Sequence, residues 1–371
     1  MKRSRSGVPL AGVVNVHINA TRVFAVLESG EVYYWGHANG TTPGNLVQGD
    51  VSVPQRVSFA NGAALGDVAE VDSQGSVFCA RTKAGSVYCW GSVPSTSGNS
   101  SVVPLQVVTQ DGPLTGIVAL AARGGRVCSG LASDGKVWNW SFYLTAYPVA
   151  GSAFDGAAMQ NAIGLGSGSD HACALGSDGL VACWGDGLYG RLGNGRLTEG
   201  FLAGAGRVLI AEGTALAGVT KLAVGNYHTC ALLPAGKVAC WGRNDKGQLG
   251  NGATQDRAYA TEVQDSSGAA LQGAAELWVS DTQSCVRLAS GALHCWGANE
   301  AGQLGDATFQ SRSRATPVAF PFTSPVTGVA LGQGHACTNH GGKEVACWGA
   351  GSFGQNGSYS SVNRPAFVTW Y

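Results

Sequence analysis

Gly225-Asn-Tyr-His-Thr-Cys-Ala-Leu-Leu-Pro-Ala-Gly-Lys-Val-Ala-Cys-Trp-Gly242, followed by the loop Arg243-Asn-Asp-Lys-Gly-Gln-Leu-Gly-Asn-Gly252, is the stretch that decides the fold. Two short apolar runs flank a glycine-bearing turn, the pattern of a β-hairpin. A tryptophan closes the second run, and the same tryptophan recurs at Trp35, Trp90, Trp140, Trp184, Trp241, Trp296 and Trp348, 44 to 57 residues apart. A repeat of this period, whose unit cannot bury its own faces, implies a propeller or a solenoid.

The bulk composition agrees. Length alone would allow two or three domains, but the anchors run almost end to end across 371 residues without a linker, which favours one domain over 1–371. With 57 glycines and 12% charged residues, tight turns are many and the surface is sparsely charged. Valine- and aromatic-bearing runs between glycine clusters give the all-β pattern. Lys and Arg number 23 against 23 Asp and Glu, and only Met1-Lys-Arg-Ser-Arg5 is markedly basic. No basic footprint for nucleic acid is present, and no run approaches the ~20 apolar residues needed for membrane insertion as a helix. The basic start resembles the head of a signal peptide, yet Asn15 and His17 interrupt the apolar run behind it.

Ten of the eleven cysteines form five pairs at one spacing: Cys79/Cys89, Cys173/Cys183, Cys230/Cys240, Cys285/Cys295 and Cys337/Cys347. In the copy from Cys79 to Cys89, a Lys83-Ala-Gly85 loop with Gly85 left-handed sets the two cysteines opposite each other. That geometry lies within reach of a disulfide. Phe24 and Tyr34 hold the same two positions in the first copy, so an apolar pair replaces the bond there. The other readings are free buried cysteines and zinc, and opposed pairs in separate blades would not converge on four zinc ligands. Five disulfides imply an oxidising, extracellular or cell-surface setting reached by the secretory route. Asn19, Asn39, Asn99 and Asn356 begin glycosylation sequons, and Asn139 begins one on a strand where burial is expected.

Hairpin cores fall near 13–36, 68–91, 117–141, 163–185, 219–242, 275–297 and 328–349. Segments with a Pro-x-Val signature precede most of them, at Pro54, Pro104, Pro148 and Pro317, with a last one at Pro365. Proline suits an edge strand, which owes no donor on one side. Counted this way, the first core lacks an outer strand and the last outer strand lacks a core. The expectation is therefore a seven-bladed β-propeller closed by pairing of the C-terminal strand, 364–370, with the N-terminal blade near Val14–Val16 and Phe24.

The hairpin with its Trp-Gly-x-Asn-x-x-Gly-Gln-Leu-Gly loop resembles the regulator of chromosome condensation family, whose members form seven-bladed propellers. The motif is strong in Asp186–Gly195, Arg243–Gly252 and Ala298–Asp306 and recognisable in Ala350–Gly357; blades one to three depart from it. Family roles include a nuclear GTPase exchange factor, a plant ultraviolet photoreceptor and secreted relatives that grip another protein. Paired cysteines argue against the first role, and a missing Gly-Trp-Arg-His-Thr motif against the second. The chain resembles the disulfide-bearing extracellular type.

His171, His228 and His335 recur two residues before a first cysteine, but Arg22, Val77, Arg126 and Gln283 hold the matching slots elsewhere. This favours local hydrogen bonding over a metal. No nucleophile elbow, phosphate loop or carboxylate pair is evident, so no enzyme activity and no cofactor are expected. Blade three is irregular: Cys128 lacks a partner, Asn139 takes a cysteine position, and Trp138, Trp140, Phe142, Tyr143 and Tyr147 collect around it. These aromatics either fill space or form a contact patch for a partner. The reading is a non-enzymatic extracellular propeller presenting loop surfaces to a protein or surface component. The alternatives are an architectural domain of a cell-surface or matrix assembly, a carbohydrate-binding propeller and, against the cysteines, an intracellular exchange factor.

Overall fold

The structure, a computed structural model, describes residues 12–18, 22–36, 51–74, 77–94, 100–122, 127–140, 144–150, 159–340, 344–351 and 360–367. Each repeat builds one four-stranded antiparallel sheet, and seven such sheets are the blades of an all-β propeller. Within every blade the strands lie side by side in chain order. Blade one consists of Val13–Ile18, Arg22–Leu27, Val32–Gly36 and Val51–Arg56. The chain divides into two compact units, Met1–Ala172 and Cys173–Tyr371, with the boundary inside blade four.

The second and third strands form the cysteine hairpin. Cys79 faces Cys89, Cys230 faces Cys240, Cys285 faces Cys295 and Cys337 faces Cys347. Cys173 and Cys183 are bonded in the same way in blade four. All five expected disulfides are present, with Cα atoms 4.1 Å apart. Phe24 opposes Tyr34 in blade one, their rings 6.2 Å apart, so two aromatic faces take the place of the bond. Each hairpin buries its apolar side against a neighbour; Phe24, Val26, Val32 and Tyr34 share one core with Phe78 and Trp90 of blade two.

The hairpin turns join successive blades. The carbonyl of Gly30 accepts the N–H of Val68 at 2.9 Å, that of Gly85 the N–H of Ile117 at 3.1 Å, and that of Gly135 the N–H of Ala162 at 3.0 Å. In the second unit Gly179 accepts from Val219 at 3.0 Å. Each turn glycine has φ near +80°, and a Cβ on Gly85 would lie 2.7 Å from the Ile117 nitrogen. Only glycine combines that backbone with so close an approach.

The expected closure is corrected by the strand pairing. Val362–Phe367 runs along the outer edge of blade seven, with Ala346 opposite Phe367 and Cys347 opposite Ala366. Blade one has its own fourth strand, Val51–Arg56, on Val32–Gly36. Each Pro-x-Val segment thus completes the blade whose hairpin precedes it, leaving no deficit at either end. The local return closes a shorter loop, and it buries Pro365 while stacking Phe367 on Phe322 with centroids 4.1 Å apart. Residues 368–370 of the expected strand lie outside the described residues.

Blade three brings a second correction. Cys128 faces Trp140, and Ser129 faces Asn139. Ser129 and Asn139 therefore occupy the disulfide positions, and the Ser129 hydroxyl donates to Asn139 Oδ1 at 3.0 Å. Cys128 instead fills the slot opposite the tryptophan, fully buried, and burial raises its thiol pKa to about 12. The histidine-equivalent slot in this blade moves from Arg126 to Val127.

A third correction concerns blade four, where the hairpin core was expected to end at 185. The strand carrying Cys183 runs from Val181 to Leu188. Cys183 lies opposite Gly206 of the outer strand; the register shifts before Gly185 pairs with Leu202 and Asp186 with Phe201, and shifts again before Gly187 pairs with Glu199 and Leu188 with Thr198. An outer strand long enough to satisfy the extra backbone groups is what carries the strand past its expected end.

Candidate functional site

The glycine-rich loops after the tryptophans are built to be rigid. Asn244 donates through Nδ2 to the carbonyls of Ala253 and Gln255, both at 3.0 Å, while its Oδ1 accepts the N–H of Leu249 at 2.9 Å. Asn299 repeats the arrangement with Thr308, Gln310 and Leu304. Each loop also receives the next blade's tryptophan: the indole N–H of Trp241 donates to Arg191 O at 3.1 Å, that of Trp296 to Gln248 O at 2.9 Å and that of Trp348 to Gln303 O at 2.9 Å. The loop motif is a joint between blades.

One of the recurring histidines, His228, serves the same joint. Ser284 donates its hydroxyl to Gln248 O at 3.1 Å, so the His228 ring must donate through Nε2 to Ser284 Oγ, 2.8 Å away. Complete burial drives the His228 pKa down to about 3, and the ring is neutral at physiological pH. At the same slot in blade six, Gln283 donates to the carbonyls of Gly332 and His335. In both blades the side chain at this slot is committed to hydrogen bonds across to the next blade.

Blade four carries the departure. Its third and fourth strands, Val181–Leu188 and Thr198–Arg207, extend beyond their counterparts in blade five, Val238–Gly242 and Arg257–Glu262. The loop between them puts Gly187, Tyr189 and Arg191 where the next loop has Asn244, Lys246 and Gln248. Tyr189 adopts φ +63°, a left-handed backbone that a bulky side chain rarely takes. Its ring meets Tyr227 edge-on, 6.2 Å between centroids. The guanidinium carbons of Arg243 and Arg191 lie over both rings, at 5.2 and 5.3 Å and at 5.9 and 5.7 Å from Tyr189 and Tyr227.

Carboxylates hold the two arginines. Buried Arg191 pairs with Asp186 at 2.8 Å, and Arg243 with Asp245 at 2.7 Å. Burial opposes ionisation of Asp245, but hydrogen bonds from Arg243 and Gln248 outweigh it and keep the pKa below the ordinary carboxylate value. Around this fixed centre Leu188, Leu197 and Phe201 stand exposed, Phe201 at 49%. Chemically this is an apolar, aromatic and guanidinium surface, the composition typical of protein-interface anchors.

The blade-three patch is not such a surface as a whole. Trp140 is completely buried in the core formed with Cys79, Cys89 and Ile117, so its ring is not available to a partner. Trp138 packs against the same core. Tyr147 is exposed at 42%, with its hydroxyl accepting from Asn139 Nδ2 at 2.8 Å. That bond, with the burial of Asn139, removes Asn139 as a glycan acceptor. Phe142, Tyr143 and the sequons at Asn19, Asn39, Asn99 and Asn356 lie outside the described residues. Sequence reading passed over Tyr189, Arg191, Tyr227 and Arg243 because the blade-four glycines keep the family spacing. The signal was the arginine at the glutamine position.

Comparison with known proteins agrees with the repeat. Residues 163–191 and 219–248 match one model of the regulator of chromosome condensation (RCC1) repeat, and 290–338 match another. The chain is 29% identical over 337 residues to the human E3 ubiquitin-protein ligase HERC2, covering 84% of this chain but only 6% of the ligase. It is 25% identical over 355 residues to the ultraviolet-B receptor UVR8 of Arabidopsis thaliana, covering 95% of this chain and 68% of the receptor. Among solved structures, Prp20p of Saccharomyces cerevisiae superposes with a TM-score of 0.64 at 18% identity, over 86% of this chain and 80% of that one. The tryptophan-capping loops, the hairpin register and these matches together show RCC1 repeats at 163–191, 219–248 and 290–338 in a chain that folds as an RCC1-like propeller.

Proposed function

We propose that this chain is a non-enzymatic protein-interaction propeller working in an oxidising, extracellular or cell-surface environment, and that the Tyr189–Arg243 surface of blades four and five contacts its partner. The observation that carries this reading is Tyr189 itself: a strained, partly exposed tyrosine, locked between two arginines and ringed by exposed Leu188, Leu197 and Phe201. Strain kept in an exposed loop does nothing for the core, and it points to a contact. Five disulfides support the setting. Prp20p, which shares the fold, is described by its binding properties to Gsp1p and histones, an example of such a propeller gripping proteins.

The test is a binding screen of the purified chain against displayed ectodomains, run beside Tyr189→Ala, Phe201→Ala and Arg243→Ala. A true partner should lose about 2 kcal/mol or more with each anchor removed, with the thermal transition of the free protein preserved for Phe201→Ala. Partners whose affinity ignores all three variants would refute this surface. A glycan array bound with anchor-dependent affinity would favour the carbohydrate reading.

A further inference from the structure

A second exposed surface lies on the first strands of blades one to four, all within the unit Met1–Ala172, and the Tyr189 reading neither requires nor predicts it. In blades two to four the first strand opens with a residue whose N–H reaches the turn glycine of the blade before it: Val68, Ile117 and Ala162. The residue after it sits in a β-bulge, visible as a register shift between Val13 and Asn15, Val68 and Glu70, and Ile117 and Ala119. The bulge turns that residue outward. In this unit the positions are Val14, Ala69, Val118 and Ile163, and the three large ones are exposed at 60%, 48% and 62%.

The strands are neighbours. Leu120 and Ala122 donate backbone N–H groups to Glu70 and Asp72, His17 lies 3.8 Å from Asp72, and Ala162 donates its N–H to Gly135 of blade three. The outward residues therefore follow one another along an arc in which half-buried Ala69 stands between Val14 and Val118. The fold does not ask for it. At the same position the other unit has Thr220, Ala275 and Thr327, and both threonines turn their hydroxyls back to a backbone carbonyl. Threonine has the shape of valine, so blades five and seven show that a polar side chain serves there.

The rim of the arc gives the partner's charge. Glu31 and Asp134 are paired with Arg56 and Lys136. Glu28, whose N–H binds Gly12 O, and Asp67, just before Val68, are exposed and have no ion pair among the described residues, with Lys83 the cation beside them. Asp67 holds φ +56° where the matching residues Gly12 and Gly116 are glycines. We propose that this arc docks a basic amphipathic segment of a partner protein, its apolar side chains on Val14, Val118 and Ile163 and its Lys or Arg groups toward Glu28 and Asp67.

The probe is a synthetic leucine–lysine amphipathic peptide, compared with its leucine–glutamate counterpart by fluorescence anisotropy. The lysine peptide should bind the full chain in preference to the glutamate peptide. Val14→Thr, Val118→Thr and Ile163→Thr together should weaken it about tenfold or more while leaving the thermal transition in place, since threonine is native at the equivalent sites. Asp67→Asn with Glu28→Gln should weaken it about threefold at low salt and flatten its salt dependence. Equal binding of both peptides, or indifference to the threonine variant, would overturn the proposal. So would self-association of the chain that the threonine variant abolishes, because the occupant would then be a second copy.

Discussion

Blades five to seven and blades two and three solve one packing problem in different ways. In the former the buried tryptophan N–H is capped by the preceding loop, at Arg191, Gln248 and Gln303. In the latter the buried indoles of Trp90 and Trp140 find no acceptor among the described residues. The buried ring is common to both sets, and the hydrogen bond is described in the former, so the tryptophan's volume is the shared element and the loop motif is a joint added to it. The hairpin-turn contact is present in blades one to three as well, with Gly30, Gly85 and Gly135 each taking an N–H from the following blade.

That contrast can be broken at its strongest point first. Gly85→Ala should lower stability by about 3 kcal/mol in chemical denaturation, because it adds left-handed strain and a backbone clash together. Gly62→Ala, with nothing within 4 Å of its added carbon, should lose only about 1 kcal/mol through strain alone. Equal losses would show that the turn contact between blades is dispensable. A smaller difference is expected for the indoles. Trp348→Phe removes the donor to the Gln303 carbonyl, whereas Trp140→Phe removes no hydrogen bond among the described residues, so the former should be worse by about 1–2 kcal/mol.

Acid sharpens the same comparison. The His228 pKa is depressed in the folded state, so its contribution is present above the ordinary histidine value and is lost as pH falls toward 3. By pH 5 the loss should reach about 2 kcal/mol. His228→Gln, the residue blade six uses at this slot, should remove that part of the pH dependence. An unchanged pH profile in the variant would assign the acid sensitivity to other groups.

Much of the fold was readable because a hairpin is a local object. The spacing of Cys79 and Cys89 fixes their register, and Phe24 with Tyr34 repeats it in apolar form. The bond between Cys173 and Cys183 was legible on the same ground. The run of strand beyond Cys183 was not, because it depends on how far the outer strand follows it. The closure was not readable either, since a strand found between two hairpins can join either one, and periodicity alone does not distinguish them. Burial of Pro365 and the stacking of Phe367 on Phe322 decide the case, and both are tertiary facts. In blade three, Cys128 drew attention away from Ser129, the residue that truly faces Asn139. The Tyr189 surface was hidden by glycine spacing identical to the family pattern, although Arg191 in the glutamine slot marked it.

The disulfides have a consequence for how the chain matures. Every bond joins cysteines separated by 10 positions, and each pair belongs to a single hairpin. A short contour favours its own closure over any partner in another blade. Oxidation can therefore follow the nascent polypeptide as it emerges, one repeat at a time, with few wrong pairings to undo. The odd thiol, Cys128, is withdrawn into apolar packing against Trp140 once its hairpin forms, which takes the remaining competitor out of exchange.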